Sequence, residues 1–226
     1  GDLDGAAAAY RRCVALAPAW ADALYNLAEL VYHSGAAAGE GDAEAEALLQ
    51  AALAAAPDHT PAHCSLGYLY CKRGGGDLLY ALDHLERACQ LQPEGATGWL
   101  YLGMAHRERG DQEEAWRAYV RAASLDPASE TAFCALGEMA HDRGKLEVAA
   151  QYYQRALEAN PRNADSTYNL GIVRQEAGRY REAAGHYARA AELDPGLEEA
   201  AAAALAIEDY LQAQQQQQQQ QQRAPG

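Results

Sequence analysis

A fixed interval between prolines is the strongest constraint on how this chain can fold. Six prolines are separated successively by 39, 36, 34, 34 and 34 residues: Pro18, Pro57, Pro93, Pro127, Pro161 and Pro195. Each has a small residue five positions before it, a large side chain eight positions before it and an alanine twelve positions before it. A recurring period of this length indicates stacked copies of one supersecondary unit, each burying its apolar face against its neighbours.

The composition predicts that the unit is helical. Alanine supplies 53 of the 226 residues, whereas valine, isoleucine and threonine together supply 11. Alanine, leucine and glutamate favour helices, and sheets need the β-branched residues that are scarce here. We therefore expect an all-α chain.

Each period divides into two helices. In residues 130–163, Phe133, Leu136 and Ala140 recur at the spacing of one helix face, and Gly144 then marks a helix end. A second apolar face follows and runs to the next proline, which cannot continue a helix. Small residues on both helices, such as Gly137, predict a close approach between them.

These positions resemble the tetratricopeptide repeat signature, W-x₂-L-G-x₂-Y followed by A-x₃-F and A-x₄-P. One block carries it at Trp99, Leu102, Gly103, His106, Ala115, Tyr119, Ala122 and Pro127. Another carries it at Thr167, Leu170, Gly171, Arg174, Ala183, Tyr187, Ala190 and Pro195. The resemblance covers about residues 1–197 and implies a right-handed α-solenoid of helix-turn-helix repeats. His106 and Arg174 stand where the family has an aromatic residue, so looser packing is expected there.

The period also predicts the organisation of the chain. Residues 1–20 form a partial repeat with only its second helix, which suggests that the chain starts inside a longer array. Complete repeats follow at 21–59, 60–95, 96–129, 130–163 and 164–197, the first two lengthened in their turns by residues 36–41 and 74–76. Residues 198–213 form a capping helix with Ala201, Leu205 and Leu211 facing the last repeat. The polyglutamine tail, 214–226, is expected to be disordered because it lacks apolar residues to bury.

No pattern for catalysis, a metal or a cofactor stands out. The sequence has no phosphate-binding loop, nucleophile elbow or zinc-protease motif. His59 and His63 have a metal-ligand spacing, but Pro61 lies between them and no third ligand is near. We therefore predict a chain that is not an enzyme and holds no metal or cofactor. Five cysteines without a C-x-x-C pair suit a reducing, intracellular setting. We expect the cytoplasm, with an organelle or the nucleus left open because the N-terminus looks incomplete.

The remaining candidate for a functional site is the open face of the first helix of each repeat. Positions 4, 7, 8 and 11 of a block pack inward, so positions 2, 5, 9, 12 and 13 form a stripe on the other side. In the family that stripe lines the concave groove where partner peptides lie. Carried over, the resemblance places in the groove Tyr25, Glu29, Tyr32, Cys64, Tyr68, Cys71, Leu100, Met104, Arg107, Cys134, Glu138, His141, Tyr168, Ile172 and Gln175.

Charge narrows the class of partner. The net charge is −14 and acids outnumber cations on the stripe, so we expect an extended or helical protein segment that is apolar and basic. Nucleic acid and membrane are not expected as partners. Acidic chaperone tails are also not expected, because position 5 never supplies the lysine of the family's carboxylate clamp.

One alternative function stays open. The chain could be the regulatory or substrate-recruiting arm of a larger enzyme whose catalytic domain lies outside it. Arms of O-linked N-acetylglucosamine transferases carry asparagine at position 6, which here is matched by Asn26 and Asn169.

Overall fold

The structure, a computed structural model, describes residues 3–35 and 40–223. These residues form twelve α-helices and one short 3₁₀ turn, Gly75–Asp77, and no strand. The helices are α1 (Leu3–Leu16), α2 (Ala21–Gly35), α3 (Glu40–Ala55), α4 (Thr60–Arg73), α5 (Leu78–Leu91), α6 (Ala96–Arg109), α7 (Gln112–Leu125), α8 (Glu130–Asp142), α9 (Leu146–Ala159), α10 (Ala164–Glu176), α11 (Tyr180–Leu193) and α12 (Glu198–Arg223). The predicted all-α fold is confirmed.

The chain divides into two compact units, Gly1–Leu125 and Asp126–Gly226. In the first unit, α2 packs on α3, α4 on α5 and α6 on α7, and each pair contacts the next. In the second unit, α8 packs on α9 and α10 on α11, with α12 lying against α11. Helical hairpins that contact chiefly their neighbours are the architecture of an α-solenoid of repeats, as the sequence predicts.

Small residues let the two helices of a hairpin approach closely. A Cβ atom at Gly103 would lie 2.8 Å from the ring of Tyr119, which is 2% exposed. On the same helix as Tyr119, α7, Ala115 and Ala122 are fully buried. The hairpin turn is closed by Gly110, whose positive φ of 90° suits glycine and whose N–H donates to the carbonyls of Arg107 and His106.

The two predicted turn insertions differ in what the structure shows. Residues 36–39 of the first insertion lie outside the described residues, and α3 already begins at Glu40. In the second insertion, Gly74 ends α4 with a positive φ and the 3₁₀ turn then leads into α5. The extra residues of this second insertion are therefore absorbed in the turn without interrupting either helix.

The last helix differs from its prediction in face and length. Its buried residues are Ala200, Ala204 and Ile207. Leu205 and Ala201, which the sequence predicts to face the repeat, are both exposed, Leu205 to 64%. Leu211 does pack against the cluster that α12 shares with α11. The helix also continues through the glutamine run to Arg223, whereas the sequence predicts disorder over 214–226. Residues 224–226 of that tail lie outside the described residues. Glutamine is a good helix former, and adding residues to an existing helix avoids the cost of nucleation.

Arg174 occupies a core position that the family gives to an aromatic residue. Its side chain is 8% exposed; Nη1 lies 3.4 Å from Glu147 Oε2 and Nε lies 3.3 Å from Glu182 Oε2. Nε is buried and has no hydrogen-bond partner among the described residues. In α4 the corresponding residue is Tyr70, whose hydroxyl donates to Glu46 Oε1 at 2.9 Å.

We expect Arg174→Tyr to stabilise the protein by about 1 kcal/mol, because it removes a desolvated cation whose partners Glu147 and Glu182 are 60% and 53% exposed and stay hydrated without it. The measurement is the free energy of unfolding by urea. Arg179→Tyr is the control, since Arg179 also pairs with Glu147 but is 45% exposed. A loss of stability in Arg174→Tyr alone would show that the buried ion pair is worth more than the aromatic packing.

Candidate functional site

In the first unit the predicted groove residues lie on α2, α4 and α6, the first helices of three successive hairpins. Seven of them are half-buried, so each presents part of its side chain to solvent: Tyr25, Glu29, Tyr32, Tyr68, Leu100, Met104 and Arg107. Cys64 and Cys71 are buried, with 9% and 5% exposure. Cys64 nevertheless lines a cavity together with Tyr25 and Glu29, whereas Cys71 lines none of the cavities described below.

Tyrosine rings form a contiguous row across this face. The rings of Tyr32 and Tyr68 meet edge to face with 6.4 Å between their centroids. Tyr68 stacks on Tyr101 with 4.6 Å between centroids. Three helices thus each contribute one ring, and pairs of this geometry stabilise one another beyond their buried area.

Glu29 is shared by two cavities that these rings line. It lines two cavities, one of about 70 Å³ with Tyr32, Tyr68 and Tyr101, and one of about 270 Å³ with Tyr25 and Tyr101. Ser65 also lines both cavities. We call this set the tyrosine–glutamate pocket: Tyr25, Glu29, Tyr32, Ser65, Tyr68 and Tyr101.

The ionisation of the pocket is set by its partial burial. Burial first, and then the Glu29 carboxylate, raises the pKa of the Tyr25 hydroxyl. Burial, followed by Tyr68 and Glu29, likewise raises the pKa of Tyr101. The Tyr25 and Tyr101 hydroxyls are therefore neutral hydrogen-bonding groups at physiological pH.

Two members of the pocket, Ser65 and Tyr101, were missed by the sequence prediction. Both occupy position 6 of their blocks, which lies outside the predicted stripe of positions 2, 5, 9, 12 and 13. At about 100° per residue, position 6 lies about 20° from position 13 and about 100° from the packing position 7. The helical spacing alone would have included it.

In the second unit the predicted groove residues are engaged with other side chains. Cys134 Sγ lies 2.8 Å from Ser166 Oγ, and His141 Nε2 lies 2.9 Å from Glu176 Oε2. The predicted groove residues on α8 and α10 are half-buried, except Gln175, which is exposed: Cys134, Glu138, His141, Tyr168, Ile172 and Gln175.

Tyr168 and Ile172 pack against the cluster that includes Tyr187 and Ile207, and the Tyr168 and Tyr187 rings are 5.3 Å apart. Gln175 accepts a hydrogen bond from the Tyr187 hydroxyl. In this unit the predicted apolar anchors contribute to packing as well as to the surface.

The histidines considered for a metal do not converge. His59 Nε2 lies 3.1 Å from Asp22 Oδ1, while its Nδ1 accepts from the backbone N–H of Ala62. His63 lies between the Pro57 carbonyl and His84, at 2.9 Å from each. Among the described residues no group of three or more His, Cys, Asp or Glu could hold a metal ion.

The buried thiols are poor nucleophiles. Burial raises the pKa of Cys64 and of Cys71 to about 11, and that of Cys89 to about 12. The reactive form of cysteine is the thiolate, so these side chains stay protonated near neutral pH. Over the stretches of chain that the structure covers, no helix combines the length and apolar character needed to cross a membrane.

The fold and the open face of its first helices define a class of protein: helical-repeat proteins with a surface that is suited to binding other proteins. Comparison with protein families identifies the repeat. Two tetratricopeptide repeat models match, one over residues 96–139 and the other over residues 134–198. Residues 96–198 therefore carry the tetratricopeptide repeat. No curated protein matches the sequence.

Several solved structures share the fold. The crystal structure of MamA matches with a TM-score of 0.62 and 20% identity, over 74% of this chain and 95% of MamA. YrrB, described as a TPR protein with an unusual peptide-binding site, matches with a TM-score of 0.63 and 21% identity, over 87% of this chain and 98% of YrrB. A chain of the APC/C hetero-tetramer Cut9-Hcn1 has a TM-score of 0.75 and 17% identity, over 91% of this chain and 39% of its own length. At these identities the likeness establishes the fold.

Proposed function

We propose that the protein is a non-catalytic scaffold that binds an apolar and basic peptide segment of a partner protein along the open face of its first helices. The observation that supports this most is the tyrosine–glutamate pocket. Aromatic rings are enriched among the residues that dominate binding energy at interfaces. Here four tyrosines from three helices are half-buried around one carboxylate, beside Leu100 and Met104 on α6.

The partner segment is proposed to be basic because the open face has a surplus of acids. The helices that carry it hold Glu29 and Glu108 in the first unit and Glu138 and Asp165 in the second, within a chain of net charge −14. Acidic surfaces raise the association rate of basic partners and disfavour acidic ones. Nucleic acid and acidic chaperone tails are therefore excluded from the proposal.

Supporting evidence for a peptide as the ligand comes from the fold and a neighbour. Tetratricopeptide repeats are interaction modules, and YrrB is described as having a peptide-binding site. In the second unit, Glu138, His141, Tyr168 and Ile172 occupy the same helix positions and belong to the proposed surface. Five free cysteines, three of them buried, favour an intracellular setting for this scaffold.

The test is selection of peptides from a random displayed library on the immobilised protein. We expect enriched sequences that combine apolar residues with lysine or arginine, and loss of that enrichment in Tyr68→Ala/Met104→Ala. Each lost anchor should cost about 1–2 kcal/mol of binding if it is a hot spot. The measurement is deep sequencing of the selected pools.

The control is Leu79→Ala/Tyr80→Ala, which removes two apolar side chains that are 67% and 63% exposed on α5. This control should enrich the same peptides as the unmodified protein. Equal enrichment by the Tyr68/Met104 variant, with helicity retained, would show that the open face is not the binding surface.

A further inference from the structure

We infer that the tyrosine–glutamate pocket binds a single arginine side chain of the partner segment, with the guanidinium on Glu29 and against the tyrosine rings. This inference rests on the proposed function and makes it more specific, because it assigns one residue type to one pocket. It concerns only the first unit.

The Glu29 carboxylate lacks a strong cationic partner. Its side chain is 33% exposed, and the only basic group within 4 Å among the described residues is His33 Nε2, at 3.8 Å. His33 is itself 65% exposed and carries a charge only when protonated. A carboxylate that has lost part of its hydration is stabilised by a charge-assisted hydrogen bond. Such bonds are about twice as strong as hydrogen bonds between neutral groups.

The nearby permanent cation is held elsewhere. Lys72 Nζ donates to the Tyr32 hydroxyl at 3.0 Å and lies 5.5 Å from the centre of that ring. Lys72 is exposed, and its hydrogen bond to Tyr32 places it at the edge of the row of rings. The carboxylate of Glu29 remains available to a ligand that enters from solvent.

The walls favour a flat cation. Tyr25 and Tyr101 line the larger cavity with Glu29, and Tyr68 stacks on Tyr101. Cations are attracted to aromatic faces within about 6 Å of the ring centre. Guanidinium is planar, stacks on rings and can donate two parallel hydrogen bonds to a carboxylate, whereas an ammonium group is a strongly hydrated point charge. This combination of rings and acid selects arginine over lysine.

The size and remaining lining of the cavity also suit a long side chain. Its volume of about 270 Å³ is roughly nine times the ~30 Å³ that a water molecule occupies in the liquid. The rest of its wall is neutral and includes Thr60, Gln92 and Thr97. The oxygen atoms of these neutral side chains can accept hydrogen bonds from the guanidinium N–H groups that Glu29 does not bind.

The test uses small probes, so that it does not depend on finding the partner. The protein is labelled with ¹³C in its tyrosine rings and titrated with Nα-acetyl-arginine N-methylamide. Parallel titrations use the lysine derivative and the citrulline derivative, which matches arginine in shape but is uncharged. We expect saturable shifts of the Tyr25 and Tyr101 ring signals with arginine, weaker ones with lysine and none with citrulline.

Two variants and a control sharpen the assignment. Glu29→Gln should weaken the arginine interaction by about tenfold or more, as loss of a charge-assisted hydrogen bond predicts. Lys72→Met should strengthen it, because a competing positive charge is removed. The control is Glu86→Gln on α5, an exposed acid outside the pocket, which should leave the titration unchanged.

Equal shifts with citrulline and arginine, or an unchanged titration in Glu29→Gln, would overturn the pocket. Tighter binding of lysine would overturn the choice of arginine. These outcomes are separate from the peptide selection: the protein could select peptides through the open face while the arginine probe fails, or bind the probe while selecting no peptide.

Discussion

Gly171→Leu is expected to destabilise the protein by about 1–3 kcal/mol or more, because the added side chain overpacks a closed helix contact. A Cβ atom at Gly171 would already lie 2.8 Å from the ring of Tyr187 on α11. That ring is 3% exposed and its hydroxyl is hydrogen-bonded to Gln175, so it has little room to move. The free energy of unfolding, from urea denaturation followed by circular dichroism, measures the loss.

The same hairpin provides a matched control. Gly185 lies within α11, and a Cβ atom there would meet nothing within 4 Å. Gly185→Leu should therefore stabilise the protein by roughly 0.5–1 kcal/mol, the usual gain when a helix-interior glycine is replaced. If the two variants lost stability equally, the close helix contact would not explain the glycine at the eighth position of the repeat.

Removal of α12 is expected to cause the other large loss. Ala204 and Ile207 bury against Ala183, Ala184 and Tyr187, so deletion of residues 198–226 exposes that apolar face to water. Complete burial of an isoleucine alone is worth about 1.5–3 kcal/mol. We expect a lower melting temperature and aggregation, measured by calorimetry and light scattering. Deletion of residues 214–226 should leave both unchanged because the described residues of the glutamine run are exposed.

A pair of point variants tests which face of α12 packs against the last repeat. Ile207→Ala should cost about 2–5 kcal/mol because Ile207 is 6% exposed. Leu205→Ala should change stability by less than about 0.5 kcal/mol because Leu205 is 64% exposed. A larger loss from Leu205→Ala would favour the helix face that the sequence predicts over the one in the structure.

The repeated hairpins could be predicted because their packing is local. Gly103 and Tyr119, or Gly171 and Tyr187, are sixteen residues apart and meet in the same way in each hairpin. The spacing of small and large residues therefore carries most of the packing information. The period also indicates which helix face remains open, and seven predicted residues of the first unit do lie half-buried there.

The face of the last helix and the contacts between successive repeats were less predictable. In α12, alanines surround Leu205 and Ile207, so several helix faces are nearly equally apolar and the period gives no register. The pocket depends on how α2, α4 and α6 lie beside one another, and that arrangement brings Tyr101 and Ser65 to Glu29. The spacing of residues within one helix does not predict a contact that involves three helices.

The central claim, that the open face binds a basic and apolar segment, is tested most directly by fluorescence anisotropy with two labelled peptides. The peptides are matched in length and hydrophobicity, one carrying arginine and the other glutamate, and each is titrated at low and at physiological salt. We predict that the basic peptide binds more tightly and that its affinity falls as salt screens the carboxylates. Binding of the acidic peptide with equal or higher affinity would contradict the account.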